Sequence, residues 1–97
     1  MKAVMIVFSQ AHTEMVEYML SRLDIKGFTF FENVQGQGSN TGVPHRGTHT
    51  WPDMNNSVIT VIEDEKVRDL LIAVRKLDNR NKEAGIRAFV WNVEQAV

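Results

Sequence analysis

Twice along this chain a run of strand-forming apolar residues gives way to an apolar stripe at helical spacing, and twice it returns to strand. That alternation limits the folds open to 97 residues more than any other feature. Lys2 to Phe8 is almost continuously apolar, the pattern of a strand covered on both faces. Beyond Ser9 the period changes. Met15, Val16, Met19, Leu20 and Leu23 form one helical stripe, with Glu14, Glu17 and Arg22 off it. Thr13 is the expected N-cap, and Glu14 stands in the first turn, where the helix dipole favours a carboxylate. Asp24 to Gly27 close this helix. Phe28 to Val34 is a second strand, rich in aromatic and β-favouring residues, and Asn56 to Glu63 is a third. Asp64 is the expected cap of a second helix whose stripe is Val67, Leu70, Leu71, Val74 and Leu77, with Arg75 and Lys76 near its end. Asp78 to Gly85 reads as a polar turn and Ile86 to Val93 as a fourth strand.

The order βαββαβ is the split βαβ motif, so the expected class is α+β: a ferredoxin-like sandwich. Right-handed crossovers place both helices on one face of a four-stranded antiparallel sheet. The strands are apolar on both faces, however. Val58 and Ile62 alternate with Ile59 and Val61, and Ile86 and Val90 with Phe89, Trp91 and Val93. Two helices cover one face, so the other is left greasy and is expected to be an oligomer interface. A chain of this size has a modest core that self-association supplements.

Composition narrows the function. Hydrophobic residues make up 43% and charged residues 24%, the balance of a folded globular domain, so 1–97 is expected to be a single domain. Eleven Lys plus Arg against twelve Asp plus Glu give net −1, leaving no basic field for nucleic acid. No apolar run reaches the roughly 20 residues that span a bilayer. The first residues read as a strand rather than a signal peptide, making the cytoplasm the expected address. Cysteine is absent, which removes thiolate metal sites and cysteine catalysis. Ser9, His12 and Glu14 have no elbow or oxyanion motif beside them, so no enzyme is expected.

Between the second and third strands lie residues 35–55, far longer than a hairpin needs, and connections of this length are usually functional or disordered. The segment holds Gly36, Gly38, Gly42 and Gly47 together with Pro44, His45, His49, Trp51, Pro52 and Met54. Gly36-Gln37-Gly38 invites a phosphate reading, but no helix follows and no P-loop lysine is present, so the motif alone is weak. His45 and His49 stand four apart. Neutral imidazoles suit zinc or copper, and Met54 sulfur leans toward Cu(I), with His12 or Asp53 available to complete a set.

Read together, these residues resemble the PII signal-transduction superfamily, the nitrogen regulatory proteins P-II. The likeness runs the length of the chain: the βαββαβ order, a long connection in the place of the family's T-loop, Gly27-Phe28-Thr29-Phe30 followed by Gly36-Gln37-Gly38, and Phe89-Val90-Trp91-Asn92-Val93 in the fourth strand. The resemblance implies a homotrimer binding ATP or ADP between subunits. It also implies a transporter, enzyme or regulator contacted by the loop. Thr29 would meet the adenine side, Gly36, Gln37 and Gly38 the phosphates, and Arg87 the position of a phosphate-contacting lysine. The family's glycine-rich T-G-x-x-G-D-G loop is here Arg80 to Ile86, with Gly85 its one glycine, so affinity is expected to be micromolar at best. The alternative is a metal-binding protein of heavy-metal tolerance or efflux regulation, similar to the trimeric CutA proteins, with His45, His49 and Met54 as the sensor.

Overall fold

The computed structural model describes residues 1–36, 54–81 and 85–97. Its strands are β1 (Lys2–Ser9), β2 (Thr29–Val34), β3 (Asn55–Ile62) and β4 (Arg87–Asn92), and its helices are α1 (Thr13–Arg22) and α2 (Asp64–Arg80). The strands form one sheet in the order β2-β3-β1-β4, every neighbouring pair antiparallel. This is the ferredoxin-like α+β fold that the sequence pattern predicts.

Register sorts the side chains. Val4 and Ile6 lie opposite Thr60 and Val58 on one side and Val90 and Ala88 on the other. This row faces the helices. Val4, Ile6, Phe8 and Val58 are fully buried against Val16 and Leu20 of α1 and Leu70 of α2, with Ile86 completing the cluster. Burying a side chain of this kind contributes about 1.5–3 kcal/mol, so this row carries most of the stability of the described fold.

Three helix boundaries depart from the sequence reading, besides one-residue shifts at strand ends. Thr13 is not the N-cap of α1. A 3-10 turn, Gln10–His12, runs into the helix, with Ser9 Oγ accepting from the Ala11 N–H at 3.4 Å, while the Thr13 hydroxyl donates back to the Gln10 carbonyl at 2.8 Å. Asp64 begins α2 without capping it: the residue ahead of the helix is Glu63, and the Asp64 carboxylate instead accepts from the Met1 ammonium at 2.7 Å. That hydrogen bond, and the charge of nearby Lys2, hold the Asp64 carboxyl below its ordinary value. Finally, α2 continues through Asp78 to Arg80, so Asp78 is helical rather than part of the turn. Gly85 then takes φ 61°, a left-handed value that glycine adopts freely, and turns the chain into Ile86 and β4.

The end of α1 follows a Schellman pattern. Ile25 N–H donates to the Leu20 carbonyl at 2.9 Å and Asp24 N–H to Ser21 at 3.0 Å, with Asp24 at φ 57° in the place that glycine usually holds. Leu20 and Ile25 are both buried, supplying the apolar contact that accompanies this motif.

At the opposite end of the sheet, the stems of the long connection are tied by the side-chain amides of Asn56 and Gln10. Asn56 Oδ1 accepts from the Asn33 N–H at 3.1 Å and from Gln10 Nε2 at 3.3 Å, and Asn56 Nδ2 donates to Thr13 Oγ1 at 2.8 Å. Gln10 Nε2 also donates to Asn33 Oδ1 at 2.6 Å, and Gln10 N–H donates to the Met54 carbonyl at 3.0 Å. Asn33 sits at φ 60° where the β2–β3 register shifts between Phe31 and Val34. Asn56 is buried, so removing its amide leaves several groups short of partners. Asn56→Ala should cost about 1–3 kcal/mol, read as a lower urea midpoint with an unchanged m-value.

Candidate functional site

The second face of the sheet is uncovered among the described residues. Phe31, Val61, Phe89 and Trp91 remain 44%, 46%, 55% and 47% exposed, around half-buried Met5, Val7 and Ile59. Cross-strand pairs Met5–Ile59, Met5–Phe89 and Ala3–Trp91 place these side chains on one surface. At its centre Ser57 is buried, and its hydroxyl has no hydrogen-bond partner among the described residues.

Of the residues that the family resemblance matches to a nucleotide site, Thr29 and Arg87 lie at this surface, and the chain does not bring the two together. Thr29 opens β2 opposite Ile59, and Arg87 opens β4 opposite Val7. Both start on the open face, at opposite edges of the sheet. Three strand spacings of about 4.8 Å separate those edges, roughly 14 Å. Gly36 lies beyond the end of β2. A Cβ there would stand 3.3 Å from Asn55 Nδ2, tighter than ordinary contact, so the backbone passes close beside that amide. Gln37 and Gly38 fall outside the described residues.

Thr29 is exposed, and its strand is positioned from below. Thr60 Oγ1, on the helix-covered face, donates to the Gly27 carbonyl at 2.6 Å, and Lys66 Nζ donates to the Asp24 carbonyl at 3.0 Å. These two bonds fix the passage from α1 into β2. They border a recess lined in part by Gly27, Val61, Glu63 and Lys66.

Arg87 is not a free cation. Its side chain turns around the β4 edge toward α2, where Nη1 lies 3.4 Å from both Asp78 carboxylate oxygens and donates to the Ile86 carbonyl at 2.9 Å. Sequence reading missed Asp78 as part of this site, having taken it for turn; its spacing from Arg87 carries no motif. Asn56 was also missed. The polar start Asn55-Asn56-Ser57 of an otherwise apolar strand was the available signal.

For the metal reading, Met54 precedes β3, half-buried, its carbonyl bonded to Gln10. His45 and His49 lie outside the described residues. Among the described residues there is no group of three or more metal-ligating side chains, and no helix long and apolar enough to cross a membrane. His12 is half-buried, and its Nδ1 has no partner among them.

Replacing Thr60 by Val should cost about 1 kcal/mol through the lost hydrogen bond. Hydrogen exchange should quicken at Phe28 and Thr29 ahead of the remaining sheet, and equal protection in both proteins would show that this bond does not hold the β2 entry.

No curated protein matches the chain. Solved structures do. CPII, a nitrogen regulatory PII-like protein from Thiomonas intermedia K12, bound to ADP, AMP and bicarbonate, superposes with a TM-score of 0.75 at 25% identity, covering 93% of this chain and 82% of that one. The same protein bound to ADP and bicarbonate gives 0.74 at 26% identity, again with 93% and 82% coverage. A PII-like signaling protein from Thermus thermophilus shares the fold, with a TM-score of 0.66 at 21% identity over 95% of this chain and 84% of that one. The family model for nitrogen regulatory protein P-II matches residues 1–97, from the first strand through the fourth and beyond. By fold and by sequence, the chain belongs to the P-II family.

Proposed function

We propose that the chain, acting as one domain over 1–97, is the protomer of a homotrimeric regulator. It senses an adenine nucleotide or a small anion such as bicarbonate in clefts between subunits. It reports cleft occupancy to a protein partner through the connection 35–55. The observation carrying this reading is the uncovered apolar sheet face of a P-II family member, with Thr29 and Arg87 at its opposite edges. A ligand touching both within one chain would have to lie across half-buried Met5 and Ile59; in the proposed trimer one edge of each chain would meet a neighbour's instead. In CPII, the Thiomonas relative, ADP, AMP and bicarbonate are bound. That supports the same ligand classes here.

In this reading Thr29 meets the adenine side, while Gly36, Gln37, Gly38 and Arg87 take the phosphates or the smaller anion. No bond is made or broken. Regulation requires only that the ligand bind one state of the connection better than another, and the shift equals that difference in affinity. The partner is a transporter, enzyme or regulator reached from the cytoplasm.

Assembly and ligand binding are measured separately. Light scattering should return three times the 11.1 kDa chain mass at micromolar concentration, and a monomer mass would overturn the trimer. Trp91→Glu should dissociate or unfold the assembly, because an unpaired charge at a buried interface costs several kcal/mol. In calorimetry ADP should bind, and Arg87→Ala should weaken it by about 1.5–3 kcal/mol, the scale of a hydrogen bond to a charged group. Absence of heat with ADP, ATP and bicarbonate at millimolar concentrations would retire the sensor reading.

A further inference from the structure

We propose that Asp78 is a built-in competitor for Arg87: it holds the guanidinium and must be displaced when an anion binds. The proposal deepens the reading above and rests on Arg87 being the anion contact. Three observations support it.

Strand register puts Arg87 on the open face, in line with Phe89 and Trp91, yet its guanidinium lies against α2 on the other side of the sheet. Because β4 is an edge strand, the side chain can wrap around it, and rotation about its own bonds returns the head to the open face without moving the backbone. Arg87 thus has two stations, and Asp78 defines one of them.

The contact is also built to let go. The charged atoms are 3.4 Å apart, and the two side chains remain 42% and 30% exposed. Ion pairs in such surroundings are weak and open to exchange with a charged ligand. When Arg87 leaves, Asp78 keeps a cation nearby. Arg75 lies one helical turn earlier, and both line the recess between α2 and β4 together with Leu71, Val74 and Ile86.

Placement gives the third observation. Asp78 stands in the last turn of α2, where the helix dipole disfavours a carboxylate and favours a cation. Its position gains nothing from the helix, whereas Arg87 offsets that unfavourable placement. The consequence is a threshold: only a ligand whose negative charge outcompetes one carboxylate draws Arg87 to the open face, so the site discriminates by ligand charge as well as by shape.

The test is calorimetry at low ionic strength with ADP, bicarbonate and uncharged adenosine on wild type, Asp78→Asn, Arg87→Ala and the double variant. Asp78→Asn is close to isosteric on a partly exposed side chain and should melt near wild type. It should tighten ADP and bicarbonate about two- to fivefold, the worth of an exposed ion pair, while leaving adenosine unchanged. In the Arg87→Ala background the same substitution should give no gain. An equal gain with and without Arg87 would mean simple charge repulsion by Asp78 and overturn the competitor. If Asp78→Asn changes nothing while Arg87→Ala weakens ADP, the anion contact stands and the competitor falls. If Arg87→Ala leaves ADP binding intact, the anion contact itself is wrong and the competitor goes with it. Failure of both wild type and Asp78→Asn to bind ADP or bicarbonate would overturn the two together.

Discussion

A four-stranded sheet with two apolar faces and helices enough for one is the constraint on which this molecule turns. The helix-covered face closes into a dry core around Val4, Ile6, Phe8, Val16, Leu20, Val58 and Leu70. The other face carries Phe31, Val61, Phe89 and Trp91, each near half exposed, where full burial of such a side chain contributes about 1.5–3 kcal/mol. A chain whose own core is modest therefore retains a large unspent stabilisation on one surface. The buried Ser57 hydroxyl at the centre of that surface lacks a partner among the described residues, a polar atom inside an apolar patch.

The same geometry explains why the matched site residues look scattered. Thr29 and Arg87 occupy the two outer strands, so the width of the sheet holds them apart within one chain. Local structure nevertheless prepares each half. The Thr60 and Lys66 bonds hold the entry to β2, and the left-handed Gly85 sets the entry to β4. The entry to β2 is thus held by side chains from the helix-covered side of the sheet, and the entry to β4 by the backbone of the turn before it.

Element order was legible because each element announces its own period. The alternation of Val58 and Ile62 with Ile59 and Val61 reads correctly as two faces, and the buried cluster with Val16, Leu20 and Leu70 confirms that the first pair faces the helices. The P-II resemblance was legible for a different reason, as short segments spaced along the whole length. What stayed hidden depends on contacts between residues distant in sequence. The polar start of β3 sets Asn56 apart but does not show that its amide joins Gln10, Asn33 and Thr13, and nothing in a run of polar residues shows that α2 outlasts Asp78 to set it against Arg87. The 3-10 entry to α1 was missed because Thr13 is a good capping residue; its hydroxyl is instead claimed by the Gln10 carbonyl and the Asn56 amide. Thr29 and Arg87 were correctly placed on strands, while their separation across the sheet needed strand order, which periodicity does not supply.

The break in the β2–β3 ladder has a consequence for what the molecule avoids. β2 is an outer strand with an exposed Phe31, the kind of border along which identical chains can add indefinitely. Left-handed Asn33 and the register shift beside it interrupt the regular row of backbone donors and acceptors after only a few residues. A strand that bends away so soon is a poor template for a copy of itself, which disfavours open-ended addition of chains along the β2 edge.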